Sequence, residues 1–419
     1  MNTKTCIVGL GYIGLPTAAV IAQSKQSVLG LDVDNKVVEI INNGDIHIVE
    51  PGLEKLVKKV VDSGYLRAIN SPEESEIFVI AVPTPFKNGN NEPDLSHIKS
   101  AVKNIASVIK SGDLVILEST SPVGTTELLR DWLRSERSDL TFSDKSLNKP
   151  DIFIAYCPER VLPGNTLNEL VNNDRVIGGL CSKSSDLAEK FYKSFIKGKC
   201  FKTDARTAEL TKLTENSFRD LNIAFANELS LVAKNLEIDV WELIDLANMH
   251  PRVDILKPGA GVGGHCIAVD PWFIVSETPE EARLIRTARE VNDNKSDWVV
   301  NKIKIAISDF LQSNPDKKVR DVTVVCYGIS FKADIDDLRE SPALSIAERI
   351  AEYHAGSVLI VEPNINVIPG KLADCLISDV AKASHADIHV ILVAHKEFVG
   401  LRQRLAGSCI VDIVALGGS

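Results

Sequence analysis

Gly9-Leu10-Gly11-Tyr12-Ile13-Gly14 directly follows an apolar run of strand length and opens a helical pattern. Glycines at these spacings permit a tight strand-to-helix turn, close approach of a diphosphate, and close packing of helix on sheet. The helix N-terminus offers unbonded N–H groups and the positive end of its dipole to an anion. Asp32 ends the next β-rich run, 21 residues after Gly11. An acid there accepts hydrogen bonds from ribose hydroxyls and repels a 2′-phosphate, which favours NAD over NADP. Asp34 is the lesser candidate for that contact. The competing reading is a glycine turn in an α/β domain that binds nothing.

The rest of the chain extends this pattern. Thr5 to Val8, Ser27 to Leu31, Ile77 to Val82 and Asp113 to Leu117 alternate with amphipathic stretches such as Asn35 to Ile41 and Leu53 to Val61. That alternation predicts βαβ units and a parallel sheet. Ile152 to Tyr156 and Val176 to Gly178 carry it to about residue 200. From Asp204, a plausible N-cap, the period becomes helical, with Leu210, Leu213, Leu221, Ala224, Phe225 and Val232 on one side. Trp241 to Asn248 and Glu280 to Leu311 are helical too, interrupted by the Gly/Pro-rich segment 258–264. Alternation returns with Val322 to Tyr327, Val358 to Val361, Ile388 to Val393 and Cys409 to Val411. The expected fold class is α/β: two Rossmann-like doubly wound domains, 1–203 and 313–419, joined by a central helical region, 204–312. A length of 419 residues suits two or three domains.

Composition narrows the function classes. A net charge of −10 argues against a general nucleic-acid partner, and no apolar run reaches the ~18 residues of a membrane span. The N-terminus lacks a signal-peptide pattern, and eight scattered cysteines without a CxxC pair read as free thiols. A cytoplasmic protein is expected. No histidine pairs with another His or Cys at a usual zinc spacing, so no metal is expected.

Three constellations carry chemistry. Val82-Pro83-Thr84-Pro85 and Ser119-Thr120-Ser121-Pro122-Val123-Gly124-Thr125 each follow a strand, where ligands of open α/β sheets bind; ordinary turn chemistry is the alternative. Lys212, Asn216 and Arg219 form a polar stripe at i, i+4, i+7, suited to an oxyanion or a moving proton, or simply a solvated helix face. Gly263-Gly264-His265-Cys266-Ile267-Ala268-Val269-Asp270 sets a cysteine after two glycines. The glycines are expected to admit substrate to the backbone, a following helix start to favour thiolate, and Asp270 to orient a proton carrier or a water. Cys6, Cys326 and Cys409 lie in strand patterns as small buried hydrophobes.

Together these strings, with Glu118 to Gly124, Cys157-Pro158-Glu159-Arg160 and Gly328-Ile329-Ser330-Phe331-Lys332, resemble the nucleotide-sugar 6-dehydrogenase family over nearly the whole chain. Segments 261–272 and 286–293 carry a narrower resemblance to a bacterial branch acting on UDP-N-acetyl-D-mannosamine. The resemblance implies an N-terminal NAD domain, a central dimerisation region and a C-terminal domain holding a UDP-sugar. It implies Cys266 as nucleophile, Lys212 as acid/base or oxyanion partner, Asn216 as a holder of the intermediate's oxygen, and Thr120, Glu159 and Asp270 as placing water or shuttling protons. Gly9, Gly11, Tyr12, Ile13, Gly14, Asp32, Thr84, Thr125 and Arg339 match cofactor contacts. Arg160, Val161, Lys212, Asn216, Arg219, His250, Arg252, Gly263, Phe331 and Lys332 match substrate positions, Arg252 reaching across a homodimer interface. One departure is Val269, where the glucose-oxidising branch has a lysine; Lys212, Asp270 or water must then carry the proton transfers. The expected reaction is a four-electron oxidation at C6 with two NAD and one water, serving bacterial surface polysaccharide such as enterobacterial common antigen. Alternatives are UDP-N-acetyl-D-glucosamine or UDP-glucose as substrate, a two-electron hydroxyacid dehydrogenase, or a binding protein without turnover.

Overall fold

The structure is a computed structural model that describes residues 3–414 except 88–89, 145, 147–148, 163, 265, 369 and 378–379. It divides into two compact units, Met1–Glu215 and Asn216–Ser419.

The first unit is built on β1 (Lys4–Val8), β2 (Ser27–Leu31), β3 (Leu66–Ile69), β4 (Ile77–Ile80), β5 (Leu114–Leu117), β6 (Phe153–Tyr156), β7 (Arg175–Gly179) and β8 (Cys200–Asp204). Their order is β3-β2-β1-β4-β5-β6-β7-β8. The chain reverses its direction of travel across the sheet between β1 and β4, which opens the crevice where such sheets bind dinucleotides. Runs such as Ile77-Phe78-Val79-Ile80 are buried at every residue, as expected of strands covered on both faces. The sheet is not wholly parallel: β7 runs antiparallel to β6, with Ala155 beside Gly179. The connection between them, with its short helix Thr166–Asn172, returns along the same end of the sheet, whereas a parallel neighbour requires a crossover. The sequence pattern passed over β3 and the edge strand β8, where Arg67, Phe201 and Lys202 are exposed and interrupt the apolar signal.

The helix Ala205–Asn235 begins as its sequence implies: Asp204 accepts hydrogen bonds from the Thr207 amide at 3.2 Å and hydroxyl at 2.7 Å. It runs 31 residues, across the division between the units. Its apolar stripe is only partly covered: Leu213 and Ala224 are buried, whereas Phe218, Phe225 and Val232 are 68%, 52% and 46% exposed.

In the second unit the helices Val240–Asn248, Asp270–Glu277 and Arg283–Ser313 precede a wholly parallel sheet. Its strands are β9 (Val324–Tyr327), β10 (Val358–Val361), β11 (Leu376–Ile377), β12 (Ile388–Ile391) and β13 (Cys409–Asp412), in the order β11-β10-β9-β12-β13. Arg289 and Asn292 of the Arg283–Ser313 helix both bond Asp220 of the long helix, at 2.7 and 2.8 Å, and all three are buried. Segment 286–293, matched above to a substrate branch, therefore holds two helices together through a buried and paired charge.

Candidate active site

The glycine turn separates into structural and ligand-facing parts. Gly9 has φ +92°, and a Cβ on Gly14 falls 1.8 Å from the Gly9 carbonyl oxygen, so both are fixed by packing. A Cβ on Gly11 meets nothing within 4 Å. That open side is where a diphosphate needs room, at the start of the helix Gly14–Gln23. Asp32 accepts from the Leu10 amide at 2.8 Å and from the Asp34 amide at 3.0 Å, which orients its carboxylate and leaves lone pairs over. Asp34 is spent as the N-cap of the helix Asn35–Asn42, accepting from Lys36. Tyr12 and Ile13 lie exposed and half-buried on the same turn. These residues fit NAD.

Thr84, after β4, donates to the Thr120 carbonyl at 2.6 Å, and Thr125 donates to the Pro122 carbonyl at 2.7 Å. Their hydroxyl protons tie loops together, and only their lone pairs remain for a ligand. The helix Thr125–Glu136 is capped from a distance: buried Glu209 accepts from the amides of Gly124 and Thr126 at 2.6 and 2.7 Å. Burial raises the Glu209 carboxyl despite those bonds.

Glu159 is nearly buried and accepts from the Arg160 amide at 2.7 Å. Sequence reading missed what lies behind it. Arg175, buried at the start of β7, forms an ion pair with Glu159 at 2.8 Å and stands 3.8 Å from Glu118. Its guanidinium also lies 5.0 Å from the Tyr192 ring centroid. Tyr192 donates to Glu118 at 2.7 Å. One cation faces two carboxylates, so burial pushes Glu118 up to about 7 even with Arg175 nearby. The signal was an arginine opening the otherwise apolar strand Val176 to Gly179.

In the second unit, Cys266 is the exposed member of eight free cysteines; the others are buried or half-buried. Burial pushes Cys6, Cys157 and Cys326 up to about 12, far from thiolate at neutral pH. Two expectations about this loop need correction. Gly263 and Gly264 do not hold space open for a substrate, because Cβ atoms there meet the Glu340 carbonyl at 2.4 Å and the Phe331 ring at 2.9 Å. Nor do the nearest helix amides point at the sulfur: those of Val269 and Asp270 donate to the Cys266 carbonyl at 3.1 and 2.8 Å. The adjoining His265 lies outside the described residues. Asp270 opens the helix Asp270–Glu277 and is buried, and Asn216 donates to it at 2.5 Å.

Lys212, buried, precedes Asn216 by one helical turn. Arg219, one turn further on, is exposed. Arg160 pairs with Glu215 at 2.6 Å, and Val161 packs partly into the apolar core of the first unit. His250 and Arg252 are exposed neighbours on one turn. Arg339 pairs with Asp337 at 2.6 Å and its carbonyl accepts from Gly264 at 3.1 Å, which places it against the cysteine loop. Phe331 packs on that loop too, and Lys332 is exposed.

The loop after β9 repeats the logic of the first unit. Glu362, just past β10, accepts from the Ile329 and Ser330 amides as Asp32 accepts from Leu10. Although burial pushes the Glu362 carboxyl up, His395 and the Ile329 and Asn364 amides hold it below its ordinary value. Asp334, His395 and Glu397 bring ligand atoms within 4.8 Å of one another. Both His395 nitrogens, however, already serve protein partners, the Asp334 amide and Glu362.

A strand–glycine–helix turn fitted to NAD and an exposed cysteine beside an Asn–Asp pair define a dinucleotide-dependent oxidoreductase. Residues 3–196, 206–294 and 325–416 match, in turn, the NAD binding, central and UDP binding domains of the UDP-glucose/GDP-mannose dehydrogenase family. The chain belongs to that family, and its cofactor is NAD. It is 57% identical to a UDP-N-acetyl-D-mannosamine dehydrogenase of Campylobacter jejuni, over 94% of this chain and 96% of that one. It is 54% identical to an NDP-N-acetyl-D-galactosaminuronic acid dehydrogenase of Ralstonia nicotianae, over 97% and 94%. A solved UDP-D-ManNAc dehydrogenase from Pyrococcus horikoshii superposes with a TM-score of 0.87 at 36% identity, covering 99% of this chain and 96% of that one. Among the described residues no helix is long and apolar enough to cross a membrane.

Proposed function

We propose that this enzyme oxidises the C6 alcohol of UDP-N-acetyl-D-mannosamine to UDP-N-acetyl-D-mannosaminuronate, a four-electron change using two NAD and one water. The observation that carries the chemistry is the exposed thiol of Cys266 four residues before buried Asp270. The substrate is supported by the 57% identity to a relative of that name.

Bound NAD supplies the hydride acceptor for each of the two oxidations. The glycine turn and Asp32 bind it, with Tyr12, Ile13, Thr84, Thr125 and Arg339 as further contacts. Lys212, or a water held by Asp270, takes the alcohol proton. The Cys266 sulfur then bonds the aldehyde carbon, and Lys212 and Asn216 hold the resulting oxyanion. Oxidation of that thiohemiacetal gives a thioester. Water, oriented by Thr120, Glu159 and Asp270, attacks the carbonyl, and the thiolate leaves as the carboxylate forms. Covalent capture keeps the reactive aldehyde from escaping. Arg160, Val161, Arg219, His250, Phe331 and Lys332 serve the UDP-sugar, whose diphosphate suits cationic side chains.

The uncovered stripe of Phe218, Phe225 and Val232 supports a homodimer, with exposed Arg252 serving the neighbouring copy's substrate. We assign residues 1–203 to NAD binding, 204–312 to dimerisation and catalysis, and 313–419 to the UDP-sugar. Eight free thiols suit a cytoplasmic enzyme, and the uronate product suits surface polysaccharide synthesis.

The test is kcat/KM, followed by NADH absorbance, for UDP-N-acetyl-D-mannosamine, its gluco and galacto counterparts, and UDP-glucose. A site built for an acetamido group leaves polar atoms unpaired when glucose binds, at about 1–3 kcal/mol each, so roughly tenfold to hundredfold discrimination is expected. Equal or better use of UDP-glucose overturns the assignment. Preference for the gluco or galacto sugar overturns only the choice among N-acetylated sugars.

A further inference from the structure

The second unit contains a cavity of about 230 Å³ that involves none of the residues assigned above to catalysis. Lys234 of the long helix, Lys295 and Lys302 of the Arg283–Ser313 helix, and Arg402 line it, with Trp298 between the lysines. In a chain of net charge −10 this is a local inversion of sign. Two carboxylates also line it, and both are engaged. Asp239 caps the Val240–Asn248 helix by accepting from Trp241 and Glu242, and Asp412 accepts from the Val414 amide with Arg402 3.9 Å away. Among the described residues, Lys234, Lys295 and Lys302 form no ion pair.

Lys295 is 2% exposed; its ammonium donates to the Ser230 hydroxyl and lies 4.2 Å from the Trp298 ring centroid. Lys302 sits 4.9 Å from the same ring. A hydroxyl and an indole face are weak compensation for buried positive charge, whereas an anion is strong compensation. Burial, with Lys302 adding to it, lowers Lys295 to about 7; burial with Lys234 lowers Lys302, and Asp412 offsets only part of that. A bound anion would offset the mutual repulsion of these ammonium groups.

The shape limits the ligand. Cofactor-sized sites span roughly 300–1,000 Å³, and this cavity is smaller. Ammonium groups 4.2 and 4.9 Å from the Trp298 ring centroid compete with a base for that ring. We propose that this cavity is an anion site for a compact phosphate-class oxyanion, inorganic phosphate or diphosphate, independent of the catalytic residues.

The test is calorimetric titration of inorganic phosphate and of inorganic diphosphate into the full-length protein saturated with NAD and UDP, against potassium chloride of equal ionic strength. Saturable binding of either anion at one site per chain is expected. Lys302→Gln and Lys234→Gln, at half-buried and exposed positions, should each weaken it at least tenfold and leave turnover in phosphate-free buffer unchanged. Heats no greater than those of chloride, or wild-type affinity in Lys302→Gln, overturn the proposal. Lys295→Met should abolish binding; should that variant fail to fold, the Lys302→Gln titration decides.

Discussion

Asn216 donates its Nδ2 to Asp270 Oδ2 across 54 residues of sequence, joining the long helix to the first turn of the helix that follows the cysteine loop. The bond fixes which end of the amide faces Asp270. Asn216 keeps one N–H and its carbonyl oxygen beyond that bond, and Asp270 is held by it at the first turn of its helix. The two side chains therefore act as one unit.

Asn216→Ala and Asp270→Ala should each lower kcat by about 10²-fold, the scale of losing a preorganised oxyanion donor or its support. The double variant should fall little below the worse single one, since residues acting as a unit are not additive. Steady-state kinetics of the cycle decides it. Multiplicative losses mean the two act separately.

Cys266 should be the first thiol alkylated by iodoacetamide at neutral pH, read by peptide mass spectrometry, because burial withholds Cys6, Cys157 and Cys326. Cys266→Ala should lose acid formation while still binding NAD. Two NADH per sugar from that variant would rule out the covalent route.

We assign cofactor choice to Asp32, whose carboxylate is fixed by the Leu10 and Asp34 amides at the end of β2. Asp32→Ala should raise KM for NAD and narrow the preference over NADP, since it removes both the ribose acceptor and the repulsion of a 2′-phosphate. Comparable turnover with NADP in the wild type contradicts this role.

Glu118 offers a pH signature. Burial raises it from 4.5 to about 7, so between those values the folded chain holds a proton that the unfolded chain has released. Folded protein then binds more protons, and this group's contribution to stability falls as pH rises. The loss begins near 4.5 and is complete above about 7. Glu118→Gln cannot ionise, so its Tm relative to wild type should climb across that window and then level off. A constant Tm difference in thermal scans counts against this account. Arg175→Met, which leaves Glu159 buried without its cation, should cost about 3–5 kcal/mol in denaturant unfolding.

Much of this protein was readable from residue order. Strand-length apolar runs followed by glycines or an acid announced both Rossmann-like sheets, because local periodicity reports burial on two faces. The glycine turn after β1 and the long helix opened by Asp204 were legible for the same reason: each depends on neighbours within a few residues. What depends on distant partners was not. Arg175 lies 16 residues from Glu159 and 57 from Glu118, and only packing of β7 beside β6 brings that cation between two acids. Glu209 caps a helix that begins 84 residues earlier. Gly263 and Gly264 look like room for a substrate in the sequence, yet Phe331 and Glu340 fill that room. Lys295 looks like one more charge on a long helix until the fold buries it beside Trp298. Chain order determined which groups exist and what each prefers locally; tertiary packing decided which charges lost their water, and so which needed a partner.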